Sequence, residues 1–434
     1  MSMKKAWRAA ILHCVANPDQ VGSANAYEYY PDGLLVVTDG LIQAIGPADD
    51  LLATLDTDTI LIEEPDALLL PGFIDTHIHY PQSDMIASYG EQLLDWLNNY
   101  TFPEERKFAD KSYAQDVAQR FLSELLKNGT TTALVFGTVH KASVEAFFES
   151  AEQQNLRMIC GKVLMDRNAP EYLQDTPETG YQESKELIEA WHEKGRLHYA
   201  ITPRFAPTSS PEQLQKAGQL LQEYERLYVH THLSENTKEC EWVQALFPDA
   251  KHYLDVYDQH QLLSERSVFA HGIHLCNDEY HRLSETGSAI AFCPTSNLFL
   301  GSGLFDLQAA QLHQVNVGMG TDVGGGTSFS MWQTLGEAYK VTQLRGHNLD
   351  PIKAFYLATL GGAEALRLER HVGNLAAGTE ADFVLIDRQA TPLLHQRLAR
   401  ANSIEDIVFA LMMLADDRAI KATYILGEAA YTRL

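Results

Sequence analysis

The sequence predicts an α/β protein: a (β/α)8 TIM-like barrel with a small discontinuous β-sandwich formed by both chain ends. Three observations predict it. Strand-like apolar runs alternate with helix-like stretches from about residue 68 to residue 322, the pattern of parallel βα units. Both ends of the chain show short β patterns around Asp and Gly turns instead. Several of the central runs close on His or Asp, and in a barrel the C-terminal strand ends carry the active site. The 434 residues accommodate a barrel of about 250 residues or more with an appended module.

Taken in order, residues 1–68 form the first part of the sandwich, 69–372 the barrel and 373–434 the second part of the sandwich. Leu34-Leu35-Val36-Val37, Asp39-Gly40 and Leu41-Ile42-Gln43-Ala44-Ile45 read as a hairpin, because Asp-Gly suits the positive φ angles of a tight primed turn. The expected barrel strands are 68–79, 131–136, 157–165, 196–204, 227–232, 267–271, 287–293 and 315–322. Helices are expected at 111–128, ending on Asn128-Gly129, at 211–224 after Ser210, and at 351–367 after Asp350. Residues 80–110 make a connection of about thirty residues where about 2–6 are usual. Its aromatic content, with Trp96, Tyr100 and Phe102, suits a lid over the barrel mouth, and the alternative is that Trp96 and Leu97 pack on a neighbouring subunit.

Composition excludes several functions. Lys and Arg number 33 against 58 Asp and Glu, a formal charge of −25. Such a surface repels phosphate backbones and anionic lipid, so neither nucleic acid nor membrane is an expected partner. No apolar run approaches the roughly 18 residues of a membrane span, and the first residues lack a signal-peptide pattern, so the expected location is cytoplasmic. The five cysteines (Cys14, Cys160, Cys240, Cys276 and Cys293) are scattered, with no C-x-x-C pair, and read as free thiols of a reducing compartment.

The chemistry lies at the strand ends. His77 and His79 sit at i and i+2 on the first barrel strand, so both face one way. The fifth strand ends His230-Thr231-His232; parity turns both inward, with His230 one layer deeper and read as a satisfied core histidine, and His232 better placed as a ligand. The sixth ends on His271 and the eighth on Asp322, whose inward neighbours Gly318 and Gly320 are expected to leave room for an ion and a ligand. Any one of these carries little weight in a chain with 17 histidines. Together they fall where one barrel mouth gathers them. Imidazoles with one carboxylate suit Zn2+, with Fe2+ second, and the lack of thiolates disfavours copper.

In this pattern the chain resembles the amidohydrolase superfamily, and more closely its guanine deaminases. The resemblance spans nearly the whole chain. It rests on Asp75-Thr76-His77-Ile78-His79-Tyr80-Pro81-Gln82, on Tyr89-Gly90-Glu91 through Trp96-Leu97 and Tyr100-Thr101-Phe102-Pro103, on Thr202-Pro203-Arg204-Phe205, on His232-Leu233-Ser234-Glu235, on Gly320-Thr321-Asp322, and on Gly373-Asn374-Leu375 with Ala381-Asp382. It implies one zinc per subunit on His77, His79, His232 and Asp322, with His271 at the ion's water or as a looser ligand. Gln82, Arg204 and Phe205 would hold free guanine, Glu235 and Asp322 would touch it too, and Glu235, Asp322 and His271 would do the catalysis. It also implies a homodimer.

The physics of the residues agrees. Zinc brings the pKa of water to about 7, and Glu235 can protonate the purine ring as it is attacked. A guanidinium only donates, so Arg204 matches guanine O6 and N7 and mismatches the adenine amino group. Glu235 has a competing reading as an acid favoured in a helix first turn. Two other activities share the metal chemistry. A deaminase of another aminated heterocycle, 8-oxoguanine or a pterin, differs only in pocket contacts. A cyclic-amide hydrolase would need a lysine between two metals, for which Lys162 is the inward candidate.

Overall fold

The computed structural model describes residues 4–89 and 92–433; Gly90 and Glu91 of the Tyr89-Gly90-Glu91 pattern lie outside the described residues. Its strands are β1 (Lys4–Cys14), β2 (Tyr27–Thr38), β3 (Leu41–Pro47), β4 (Ile60–Pro71), β5 (Phe73–His79), β6 (Thr130–Phe136), β7 (Arg157–Gly161), β8 (Val163–Leu164), β9 (His198–Pro203), β10 (Tyr228–Leu233), β11 (Ser267–His271), β12 (Ala289–Phe292), β13 (Asn316–Met319), β14 (Phe383–Asp387), β15 (Ile420–Ile425) and β16 (Glu428–Thr432).

Eight of them, β5, β6, β7, β9, β10, β11, β12 and β13, run parallel in that order as the barrel, with β8 a short extension paired to β9. The two chain ends combine in a seven-stranded sheet of order β16-β15-β14-β4-β1-β2-β3, so the final strands pair with β4 from the first part of the chain. That sheet curls around a core of its own, in which the Trp7 ring meets Phe383 and Tyr424 edge-on. The hairpin is present: Asp39 and Gly40, at φ 51° and 81°, join β2 to β3.

Three expected elements are divided, one of them strand 157–165, which forms β7 and the short β8. The apolar run 68–79 is not one strand, because Leu68–Pro71 complete β4 and pair with β1 and β14, and only Phe73–His79 enter the barrel. Both halves are buried on both faces, so hydrophobicity alone shows no seam between them. The expected helix 351–367 breaks at Thr359, φ −129° and ψ −100°, into Pro351–Ala358 and Leu360–Ala365. The second piece lies under the barrel, where Gly362 packs against Ile74 of β5. Helices 111–128 and 211–224 are found at Lys111–Lys127 and Pro211–Glu223, capped by Asp110 and Ser210.

The barrel interior is layered. Ile74, Leu134, Ile159, Ala200, Tyr228 and Val268 fill its floor, closed from below by Ala363 and Leu366. A β-bulge in β5, between Asp75 and Ile78, shifts its pairing with β6 by one residue. This lets Ile74 face inward in the floor and the odd-numbered His77 and His79 face inward above it, the re-aiming for which bulges serve beside active sites.

Arginines tie the barrel base to the end sheet. Arg157 Nε donates to Glu380 Oε2 at 2.8 Å, Arg196 Nη2 donates to the same oxygen at 2.6 Å, and Arg196 also pairs with Asp382. Burial pushes the Glu380 carboxyl up, but the hydrogen bonds and charges of Arg157 and Arg196 outweigh it and hold it below its ordinary 4.5. Its stabilisation is therefore complete above that ordinary value and is lost as pH falls through the lower folded one. Glu380→Ala strands the buried Arg157 guanidinium and leaves Arg196 with Asp382 as its remaining carboxylate partner, so urea unfolding at pH 7 should show a loss of about 3–5 kcal/mol.

Candidate active site

At the mouth, the Nε2 atoms of His77 and His79 lie 3.1 and 3.3 Å from Asp322 Oδ1 and 3.2 Å from each other. The His232 ring is 4.8 Å from that of His77 and stacks on His271 at 5.5 Å. The other ring nitrogens show why the Nε2 atoms converge. His232 Nδ1 donates to the Arg204 carbonyl at 2.7 Å, and His271 Nδ1 donates to Asn297 Oδ1 at 2.8 Å. His77 Nδ1 lies 2.7 Å from His230 Nε2, so His230 is not inert core packing but sets the orientation of His77. The contacts to the Arg204 carbonyl and to Asn297 Oδ1 leave Nε2 of His232 and His271 with its lone pair free, the arrangement of metal-ligating histidines and their supporting partners.

The electrostatics favour the same use. Burial pushes His77 and His232 down and His79 to about 3, so these imidazoles are neutral at pH 7. Burial acts against ionisation of Asp322, but its contacts with His77 and His79 outweigh that and hold it well below the usual carboxylate range. Buried His271 Nε2 has no hydrogen-bond partner among the described residues, and stands 3.5 Å from Glu235 Oε2 and 3.8 Å from Asp322 Oδ2. His77, His79 and His232, or His77, His271 and Asp322, are close enough to hold one cation. A neutral imidazole cluster around one carboxylate, with an orphaned buried nitrogen, fits a transition-metal ion.

The backbone breaks local rules here. His271 is at φ 73°, Asp322 at φ 51° and Ser234 at φ 48°, a region that favours glycine and costs about 1–3 kcal/mol for other residues. Strand alternation alone would turn His271 outward with Phe269; the left-handed residue turns it in.

One cavity joins these groups to the purine-site candidates: Gln82, Arg204, Phe205 and Glu235 line it with His79, His232, His271 and Asp322. Its remaining wall is apolar, formed by Leu93, Trp96, Leu97 and Leu300. Trp96 and Leu97 are thus buried against their own chain rather than spent on a second subunit. The Trp96 indole N–H, also buried, has no partner among the described residues. Glu235 is not a helix acid: Asn236 caps the helix Thr237–Leu246, and Glu239 fills the first-turn role by accepting from the Glu235 and Asn236 N–H groups. Burial, then the charge of Asp322, pushes Glu235 up to about 8 against the hydrogen bond from Ser302, so it is protonated at neutral pH.

Three sequence readings need correcting or completing. Lys162 does not face the metal candidates; its Nζ is buried against Asp175 at 2.5 Å, whose other oxygen accepts from Gln213 in the helix layer. Gly318 and Gly320 do not hold space for an ion. A Cβ at Gly318 would lie 2.4 Å from Thr76, and one at Gly320 would lie 2.8 Å from Cys293 Sγ and 3.0 Å from His77 Cβ, so their bareness lets β13 and β5 close together. Glu105 was not anticipated: inside the charged run Glu104-Glu105-Arg106-Lys107, which reads as a solvated face, it is buried against Arg204 and Gln82.

The amidohydrolase family model matches residues 68–430. The guanine deaminase of Escherichia coli K12 is 54% identical over 424 residues, 98% of this chain and 96% of the relative. A solved structure of E. coli guanine deaminase superposes with a TM-score of 0.97 at 53% identity, covering 99% of this chain and all of that one. The guanine deaminase of C. acetobutylicum, solved with guanine in its active site, superposes at 0.89 with 28% identity, over 99% and 100% of the two chains.

The close fit of β13 against β5 is testable without any ligand. Gly320→Ala forces a methyl group between Cys293 and His77, and thermal unfolding should show a loss of about 1–3 kcal/mol.

Proposed function

Because this chain belongs to the amidohydrolase family, and its cavity joins a histidine-carboxylate cluster to Gln82, Arg204, Phe205 and Glu235, we propose that it hydrolyses guanine to xanthine and ammonia. That shared cavity is the observation that carries the reading, and the 54% identity to the E. coli guanine deaminase over 98% of the chain supports it.

His77, His79, His232 and Asp322 would hold one zinc ion, the metal that best suits three imidazoles and a carboxylate, and when bound it lowers the pKa of water from about 15.7 to about 7. The chain's own groups do the rest. Asp322, held ionised, takes the proton of the attacking water, which His271 orients through Nε2. As the water oxygen bonds to C2, Glu235 delivers its proton to N3 and quenches the charge developing in the ring. The proton taken by Asp322 passes to the amino nitrogen, the C2–N bond breaks as the new C2 hydroxyl gives its proton to Glu235 and becomes the carbonyl, and N3 keeps the proton it received. Arg204 donates to O6 and N7 while Phe205, Trp96 and Leu97 exclude water. Against adenine the same guanidinium meets a donor, a mismatch of a few kcal/mol.

The bridging lysine of a cyclic-amide hydrolase has no support in the orientation of Lys162. The five free thiols suit a cytoplasmic enzyme. A homodimer belongs to the same proposal, and gel filtration of the purified protein giving a monomer would remove it.

Ammonia release from guanine, adenine, 8-oxoguanine and a pterin, with metal content measured on the same preparation, tests the whole reading. Guanine should be strongly preferred, with about one zinc per chain. Arg204→Ala should lower kcat/KM for guanine by about 100-fold or more and keep its metal. An unchanged value would show that Arg204 does not read the base, and preference for another base would overturn the substrate while leaving the metal chemistry in place.

A further inference from the structure

The connection after β5 ends in the short helix Phe102–Glu105, and it delivers a group for which the proposed reaction has no step. Glu105 places its two carboxylate oxygens 3.0 and 2.8 Å from Nη1 of Arg204. The side chains of the pair are 1% and 3% exposed. The same carboxylate accepts from Gln82 Nε2 at 3.2 Å, while Gln82 Oε1 accepts from the Gly324 N–H at 3.3 Å. Phe102, one turn earlier, lies under the Arg204 guanidinium, 5.4 Å from ring centroid to Cζ.

We propose that Glu105 is a positioning residue that decides which base the site accepts, by fixing both Arg204 and Gln82. The inference rests on the reading of those two side chains as purine contacts. Nη1 is turned to the Glu105 carboxylate, which leaves the three N–H groups on Nε and Nη2 to meet acceptors on the ligand. Gln82 is fixed in the same way. Its amide could otherwise flip and present oxygen where nitrogen stands, but one end is tied to Glu105 and the other to the Gly324 backbone. Without Glu105, the guanidinium would have Asp322 and Glu235 as the other carboxyl groups lining its cavity. Turning toward either would take it from the base.

Glu105→Gln puts an amide donor against two donors and removes the charge. The readout is binding of hypoxanthine and of purine to the metal-loaded protein by calorimetry. Neither ligand has the 2-amino group, so neither is turned over, and only hypoxanthine offers O6. The variant should weaken hypoxanthine about 10- to 100-fold and purine by less than about threefold. Glu105→Asp, which keeps the charge, should recover part of the difference, and it carries the comparison if Glu105→Gln loses fold or metal. Equal weakening of both ligands would reduce Glu105 to a structural prop, and unchanged binding of both would overturn the proposal outright. A wild-type protein that does not prefer hypoxanthine over purine would instead strike the reading of Arg204.

Discussion

The structure depends on the seam where the last barrel strand meets the first. β13 and β5 form no regular ladder at the mouth. The Asp322 N–H donates to the His77 carbonyl and the His79 N–H to the Val323 carbonyl, both at 2.9 Å, while the Thr321 backbone and hydroxyl both donate to buried Asp75. The residues that close the barrel are thus the ones that carry the histidine pair and the carboxylate. Building the site and closing the fold are one event, so the relative positions of His77, His79 and Asp322 are as rigid as the barrel itself. This is the preorganisation that a metal centre requires. It also explains why the space at Gly318 and Gly320 is filled by Thr76, His77 and Cys293: any side chain there would hold the seam open.

The sequence shows the elements of this arrangement better than their aim. Apolar runs, caps and the Asp39-Gly40 turn report local preferences, and the barrel strands and the helices after Asp110 and Ser210 follow them. The histidines and Asp322 are legible because each ends a strand-like run. How they come to face one point is not legible, because it rests on departures from the local rules. A bulge in β5 changes the parity that Ile74 would impose on His77, and a left-handed residue turns His271 inward. Neither leaves a mark in composition. The boundary at Pro71-Gly72 is hidden for another reason, since the last five residues of β4 and all of β5 are buried.

Glu105 and Lys162 show the same limit for charge. Each is a buried ionisable residue whose partner lies on another element, Arg204 99 residues on in one case and Asp175 13 residues on in the other. A charged run reads as solvated unless the partner is known, and the partner is set by topology. The signal present in the sequence was indirect. The connection from 80 to 110 is too long to be only a link, and it ends in the turn that brings Phe102 and Glu105 to Arg204.

Charge accounting in the cavity then narrows what can enter. Among the described residues that line it, Arg204 is the one fixed cation, and Glu105 already neutralises it. Glu235 is kept protonated by burial and by the nearness of Asp322, and His79 and His232 are neutral. Asp322 remains the fixed anion, facing the imidazoles. A neutral planar base can replace water here without separating charge. A nucleotide would bring a phosphate into a space whose guanidinium is already paired, and a buried anion without a partner is too costly to hold. The strongly acidic surface acts in the same direction before any contact is made. The pairing of Arg204 with Glu105 therefore leaves a phosphate no free cationic side chain among the described residues that line the cavity.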